Sequence, residues 1–221
     1  MNKTASLALA VLLALLGVAL GYALLSLPAQ TPGLGEAVSR HMADSGVDHT
    51  VTAVLLNFRG YDTLLEMAVL LLALLGAWSL MPQSGTEPSA LDIGPVLTTL
   101  FGLLTPVMLL VAGYLLWVGA HAPGGAFQAG SVLAAAGVLA VLCGKPLGGP
   151  LAGWPLRLGL ALGTAMFVAV AATLMLAGAQ LLQYPIPWAG GLILLIEAAA
   201  TLSIGLTLTA LFFGERPGPK P

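Results

Sequence analysis

The chain has 221 residues, of which 58% are apolar and 7% are charged, and its mean hydropathy is +1.00. About a quarter of the residues of a soluble domain are charged, so this composition indicates an integral membrane protein. The net charge of −2, with no basic cluster, is unsuited to binding nucleic acid, and the single cysteine, Cys143, excludes an internal disulfide or an all-cysteine iron–sulfur or zinc site within the chain.

Six apolar segments are long enough to be transmembrane helices, because a hydrocarbon core of about 30 Å takes roughly 20 helical residues. The sequence therefore predicts an all-α polytopic membrane protein with about six transmembrane helices and no cofactor. The predicted spans are Thr4–Leu27, Thr63–Met81, Ile93–Val118, Phe127–Cys143, Leu156–Leu182 and Ala189–Phe213. The apolar core of the first exceeds the roughly 7–15 residues of a signal peptide, so we expect it to be retained as a helix.

The distribution of lysine and arginine predicts the orientation of these helices. With the N-terminus in the cytoplasm, five basic residues lie on the inner side and two on the outer side. The inner group is Lys3, Lys145, Arg157, Arg216 and Lys220, and the outer group is Arg40 and Arg59. We therefore expect both termini inside and His121 outside.

Three segments are not expected to cross the membrane. Pro28–Thr50 is a polar external loop, and the apolar run Val51–Phe58 is too short to cross, which favours an interfacial or re-entrant segment. Pro82–Asp92 is rich in proline, glycine and small polar residues, as linkers are. It predicts a division into a two-helix unit, residues 1–85, and a four-helix unit, residues 86–221.

The segment Asn57–Glu66 is polar and leads into the second span, which begins at Thr63. Arg59 and Asp62 can pair at the surface, and Gly60 allows a turn. Thr63 and Glu66 have the spacing of a capping box, with threonine as N-cap, although Asp62 can serve as N-cap equally well. Glu66 is therefore a helix cap, a proton-handling residue, or both.

Glu197 lies within the last span, nine residues after Trp188. At 1.5 Å per residue this is roughly 13 Å along the helix, close to the middle of a membrane. No capping role is available to a carboxylate at that depth, and it is costly unless it is paired, protonated or hydrated. Two interpretations remain, a protonated glutamate bonded to a partner helix and a group on a proton or ion path, and we favour the second.

The segment Gly119–Gly130 joins the third and fourth spans. Pro123, Gly124 and Gly125 predict a tight turn with positive φ, hence a hairpin, and Gln128 can bond backbone groups that the turn leaves free. His121 alone does not predict a metal site, and a solvated histidine is the ordinary expectation.

Pro106 lies in the middle of the third span. Proline removes a helix hydrogen bond and kinks the helix, and we expect the hydroxyl of Thr105 to satisfy the carbonyl that is freed.

Gly119–Gly130, with Ser131–Val138 after it, resembles the signature of the MnhB (MrpB) family, small membrane subunits of multisubunit Mrp-type sodium/proton antiporters and related complexes. The matching residues are Pro123, Gly124, Gly125, Phe127, Gln128 and Gly130. In the family the histidine directly follows the glycine, whereas here Ala120 has that position and His121 comes one residue later. The last span is also similar, with Glu197 where the family often has an acidic residue.

Asn57–Glu66, followed by Met67–Leu80, resembles the C-terminal region of the large A-type antiporter subunit, which in membrane-bound hydrogenases is a small separate subunit of the E type. Glu66 matches that region, while Asn57 stands for an aspartate and Leu65 for a glycine. The chain thus looks like an E-type unit, residues 1–85, fused to an MnhB unit, residues 86–221.

These resemblances imply a non-catalytic inner-membrane subunit of an Mrp-type cation/proton antiporter. Its partners would be the lipid bilayer, large A- and D-type subunits and small C-, E-, F- and G-type subunits, and its ions would be protons and sodium. By analogy, Glu66 first and Glu197 second would line a lateral path for these ions. The alternatives are a hydrogenase-like or complex-I-like energy-converting complex that uses the same module, and an independent small transporter or assembly scaffold.

Overall fold

The computed structural model describes residues 3–27, 33–80, 94–145 and 153–213, and the regular structure in these ranges is entirely helical. The helices are α1 Lys3–Leu25, α2 Gly35–Ser45, α3 Thr50–Ala53, α4 Gly60–Leu80, α5 Pro95–Val118, α6 Ala126–Leu142, α7 Trp154–Leu176 and α8 Ile186–Phe213, with a π-helical segment, Val54–Phe58, between α3 and α4. Five of them, α1, α4, α5, α7 and α8, are long and apolar enough to span a membrane, and α6 is a shorter apolar helix of 17 residues. The predicted all-α polytopic architecture is confirmed. The predicted linker, Pro82–Asp92, lies outside the described residues.

The chain divides into two compact units, Met1–Ala37 and Val38–Pro221. The first consists mainly of α1, whose described side chains are nearly all exposed.

In the second unit α8 lies at the centre, and α6 runs parallel to it. Gly130 of α6 packs on Ile204 of α8, and Gly137 packs on Thr209, so the residue numbers rise together along the two helices. A Cβ on Gly130 would stand 2.7 Å from the Ile204 side chain. Glycine therefore permits the close approach of backbones that stabilises helix pairs in lipid, where burying apolar surface brings no hydrophobic gain.

Helix α7 packs on another face of α8 and runs antiparallel to it. Gly163 lies against Ala200, and Gly159, one turn earlier in α7, lies against Leu206. The Ser203 hydroxyl of α8 donates a hydrogen bond of 2.6 Å to the Leu160 carbonyl of α7. The small side of α7 that these two glycines form therefore allows α7 and α8 to approach closely.

Helix α4 packs against both α7 and α8. Gly60 faces Phe167, and Met67, two turns further, packs its methyl group on Gly163. The two helices are therefore antiparallel, and α4 runs parallel to α8. Phe167, Met67 and Ala200 belong to one buried cluster. Helices α4, α6 and α8 thus run in one direction and α7 in the other, as the predicted order of the transmembrane spans requires.

Two predictions about helix boundaries are wrong. The predicted external loop Pro28–Thr50 contains α2, in which Val38, Met42 and Ser45 share one less exposed face at helical spacing. Helix α7 ends at Leu176, although the apolar run continues to Leu182, because Gly178 takes a φ of +85°. The Ala179 amide bonds the Leu174 carbonyl and the Gly178 amide bonds the Met175 carbonyl, as in a Schellman motif.

The packing at Gly163 generates a stability prediction. Gly163→Leu would drive a side chain into Met67, Ala200 and Ser203, and we expect the free energy of unfolding to fall by about 1–3 kcal/mol, the usual cost of overpacking. Thermal unfolding of the purified chain in detergent measures the change. Gly113→Leu is the control, because Gly113 in α5 has open space around it. Equal unfolding midpoints for the two variants would contradict the packing.

Candidate functional site

The centre of the candidate site is the carboxylate of Glu197 in α8. This residue is only 4% exposed. The Ala126 backbone N–H donates a hydrogen bond to the carboxylate. Its Oε2 atom, which is fully buried, has no hydrogen-bond partner among the described residues. The Glu197 carboxylate thus accepts one hydrogen bond from the backbone, and it keeps a second, enclosed oxygen that has no donor among the described residues.

A glycine-rich loop, Gly119–Gly125, lies directly over this carboxylate. Gly125 has a φ of +107°, and a Cβ there would stand 2.8 Å from Oε1 of Glu197. A Cβ on Gly124 would stand 2.5 Å from the Leu115 carbonyl, and one on Gly119 would stand 2.6 Å from the Gly125 nitrogen. The predicted positive-φ turn is confirmed. It reaches Glu197 because its glycines let the two sides of the loop come into contact.

Glu197 also serves as a cap, contrary to the sequence-based prediction. Ala126 is the first residue of α6, and Gly125, its N-cap, has no side chain to offer the free amides of the first turn. The Glu197 carboxylate accepts one of those amides from a neighbouring helix. The prediction considered only the ends of α8, and no local pattern announces a bond between residues 71 positions apart in sequence.

The segment Ser45–Phe58 is hydrogen-bonded to the glycine loop. The backbone amides of Asp48 and His49 both donate to the Ala120 carbonyl, at 3.2 and 3.0 Å, and the Thr52 hydroxyl donates to the Gly119 carbonyl. His121 is exposed, as predicted, and its Nδ1 lies 2.9 Å from Oδ2 of Asp48. The predicted interfacial or re-entrant run is thus a helical segment packed on protein, with Ala53 and Leu56 in the buried cluster.

The capping box predicted for α4 is wrong. The helix begins at Gly60, so neither Asp62 nor Thr63 is its N-cap. The Thr63 hydroxyl instead donates at 2.6 Å to the carbonyl of Leu55, which lies in the π-helical segment. Gly60 is buried and packs closely, since a Cβ there would stand 3.0 Å from the end of the Leu182 side chain. The predicted surface pair of Arg59 and Asp62 is confirmed.

Glu66 is exposed on α4 and pairs with no described residue. Glu66 does not contact Glu197, whose side chain is enclosed at the contact of α8 with the start of α6. The two lie at similar heights, however, because Met67, Gly163 and Ala200 are in contact across α4, α7 and α8. Counting along the parallel helices from that contact leaves Glu66 and Glu197 within about 5 Å of each other along the bundle axis.

The remaining residues singled out in the sequence lie in or beside the glycine loop and in α5. Phe127 packs against the buried cluster, whereas Pro123 is exposed beside the glycines of the loop. Gln128 is exposed and makes no hydrogen bond to the described residues, so its predicted bond to the turn is not found. The buried Thr105 hydroxyl likewise has no partner there, so the predicted repair of the Pro106 break is wrong. No group of three metal-ligating side chains occurs among the described residues.

The contact between Gly125 and Glu197 is testable by adding one methyl group. Gly125→Ala meets both the positive φ and the carboxylate, whereas Gly153→Ala meets only a positive φ, of +77°, in open space. We expect Gly125→Ala to lower the free energy of unfolding by about 1–3 kcal/mol more than Gly153→Ala. Denaturation of both purified variants in the same detergent measures the difference, and equal losses would mean that Oε1 does not occupy this position.

Comparisons with known proteins agree with this architecture. A solved chain from the membrane-bound sulfane sulfur reductase, an archaeal respiratory membrane complex, is 26% identical, with a TM-score of 0.72, over 96% of this chain and 98% of its own length. A chain of the Mrp complex from Dietzia sp. DQ12-45-1b has the same fold, with a TM-score of 0.67 and 21% identity over 97% of this chain, which spans 26% of that longer polypeptide.

A curated relative and two family models also match. An uncharacterised protein of Methanocaldococcus jannaschii is 29% identical over 161 residues, which are 64% of this chain and 60% of that protein. Residues 1–91 match the model of the E-type subunit of membrane-bound hydrogenase, and residues 96–214 match the domain related to the MnhB subunit of the Na⁺/H⁺ antiporter. Because the second match covers more than half of the chain, and includes both the glycine loop and Glu197, the protein belongs to the MnhB-related family.

Proposed function

We propose that the chain is a non-catalytic, multi-pass subunit of an Mrp-type cation/proton antiporter in the cytoplasmic membrane, in which Glu197 and Glu66 line a lateral path for protons or sodium ions. The observation that carries this proposal is the state of Glu197. Its carboxylate is enclosed, held at one side by the Ala126 amide, and has a second oxygen without a partner among the described residues. Intramembrane carboxylates are costly and are commonly found on ion and proton pathways.

The attachment of Glu197 suits a group that binds and releases a proton repeatedly. An enclosed oxygen without a hydrogen bond is costly to leave as it is, and protonation or a water molecule would satisfy it. The bond to Ala126 keeps the side chain in one position while the other oxygen changes its partner.

Glu66 supports a lateral direction for the path. It lies at nearly the height of Glu197 but on the outer surface of α4, where it is open to whatever neighbours this chain. A carboxylate on a membrane-spanning helix requires a polar neighbour, water or a proton. The partners proposed for this chain are the large A- and D-type subunits and the small C-, E-, F- and G-type subunits, and both of its termini are proposed to lie in the cytoplasm.

A second candidate function is supported by the reductase chain, which matches this chain nearly from end to end. In that case the same ion path would be driven by a redox reaction, with the redox centres on other subunits. The E-type unit of residues 1–85 and the MnhB unit of residues 86–221 would have the same roles. Mass spectrometry of copurifying subunits separates the two, since iron–sulfur or nickel subunits support the redox complex and antiporter subunits alone support the Mrp type.

Glu197→Gln tests the central residue. The amide keeps an oxygen for the Ala126 amide but cannot exchange a proton, so we expect cation-dependent proton movement to fall to the background of vesicles that lack the complex. Fluorescence quenching in inverted membrane vesicles measures transport, and a native gel measures assembly. Wild-type transport in a fully assembled Glu197→Gln complex would refute the proposed role, and loss of assembly would show that Glu197 acts in packing.

Glu66→Gln tests the outer part of the path in the same vesicles. We expect transport to decrease while the complex assembles normally, because the uncharged side chain cannot take up or release a proton. Asp62→Asn is the matched control, since Asp62 is an exposed carboxylate in the same segment that pairs with Arg59. If the two variants transport equally well, Glu66 has no part in ion movement.

A further inference from the structure

We infer that Thr52, a residue of the E-type part of the chain, is a positioning residue for Glu197. Its hydroxyl holds the glycine loop that presents the Ala126 amide to the carboxylate. The inference rests on the proposed function in that it concerns the same carboxylate. It adds that the short segment Ser45–Thr52 restrains the glycine loop that contacts this carboxylate.

The segment Ser45–Thr52 is fixed to α8 at one end. Gly46 takes a φ of +71° and packs on Ala189, in the first turn of α8, so closely that a Cβ on Gly46 would collide with the alanine side chain. Gly190 lies beside the Gly46 carbonyl. The side-chain amide of Asn57, in the π-helical segment that follows, donates at 3.0 Å to the Ser45 carbonyl and holds the start of the segment. The helix that carries Glu197 therefore supports this segment directly.

The other end of the segment is fixed to the glycine loop. Thr52 is 5% exposed, and its hydroxyl donates to the carbonyl of Gly119, which is also buried. The amides of Asp48 and His49 donate to the next carbonyl, that of Ala120. Ser45–Thr52 thus forms a bracket between α8 and the loop, and Thr52 supplies the buried side-chain bond in it.

The restraint on Gly119 is transmitted to Glu197 through direct contacts. The Gly119 Cα lies against the backbone of Gly125, where a Cβ would stand 2.6 Å from the Gly125 nitrogen. Gly125 in turn lies against Oε1 of Glu197, and the next residue, Ala126, supplies the hydrogen bond. Without the hydroxyl, the buried Gly119 carbonyl loses its donor, and the loop is expected to move away from the carboxylate.

The pair of Asp48 and His121 is not the effective link. Their side chains are 83% and 62% exposed, and exposed ion pairs stabilise little. Asp48→Asn is therefore a control that changes a charge on the same bracket without removing the buried bond. Thr173→Val is a second control, because it removes a threonine hydroxyl that bonds only within α7.

The experiment compares Thr52→Val with Thr52→Ser in the assembled complex. Hydrogen exchange of the peptide that contains Ala126 reports on the loop, and proton movement in inverted vesicles reports on Glu197. We expect Thr52→Val to speed exchange of that peptide at least about tenfold and to decrease transport, while Thr52→Ser, Asp48→Asn and Thr173→Val behave like the wild type. Combining Thr52→Val with Glu197→Gln should decrease transport no further than Glu197→Gln alone.

Unchanged exchange in Thr52→Val would overturn the inference, and so would failure of Thr52→Ser to restore the wild-type behaviour. If Thr52→Val misfolds, Thr52→Ala and Thr52→Cys provide smaller changes on the same exchange measurement, with the same two criteria. Failure of the proposed function looks different, because Glu197→Gln would then transport normally, whereas the exchange of the loop in Thr52→Val would still decide the restraint.

Discussion

The hydrogen bond from the Ala126 amide to the Glu197 carboxylate is the interaction on which the site depends. Helix α6 has 17 residues and is about 25 Å long, shorter than a hydrocarbon core of about 30 Å. Its first amides would be left without partners near the membrane interior, where unsatisfied backbone groups are costly. A carboxylate from α8 satisfies one of them, and the favourable field at a helix N-terminus lowers the cost of enclosing a negative charge. The short helix and the buried acid thus compensate for each other.

The same arrangement explains why two family patterns occur in one chain. Residues matching the E-type hydrogenase subunit include the bracket Ser45–Thr52 and Glu66, and residues matching MnhB include the glycine loop and Glu197. The hydrogen bonds from Asp48, His49 and Thr52 to the loop carbonyls join the two parts at the site itself. Joining the parts in one polypeptide keeps these contacts together, while Glu66 on α4 stays exposed.

The sequence predicts the features that depend on composition or on one residue's backbone. Hydropathy predicts the long apolar helices, the run Pro123–Gly125 predicts the positive φ found at Gly125, and isolated acids in apolar runs indicate Glu66 and Glu197. Features that depend on distant contacts are missed. Thr63 has the spacing of a cap, but the π-helical segment leaves the Leu55 carbonyl within reach of its hydroxyl. The capping of α6 by Glu197, the bracket on the loop and the similar heights of the two glutamates all require the packing of α4, α6, α7 and α8, which no local pattern contains.

The central claim is that Glu197 changes its protonation state while the complex works. Infrared difference spectroscopy of the reconstituted complex, recorded as sodium is added and removed under transport conditions, measures this directly, because a protonated carboxyl group has its own carbonyl band. We predict such a band that rises and falls with the transported ion and is missing from the Glu197→Gln complex. A spectrum without any carboxyl band assignable to Glu197, or with one that stays constant while ions move, would contradict the account and leave Glu197 as a fixed support for α6.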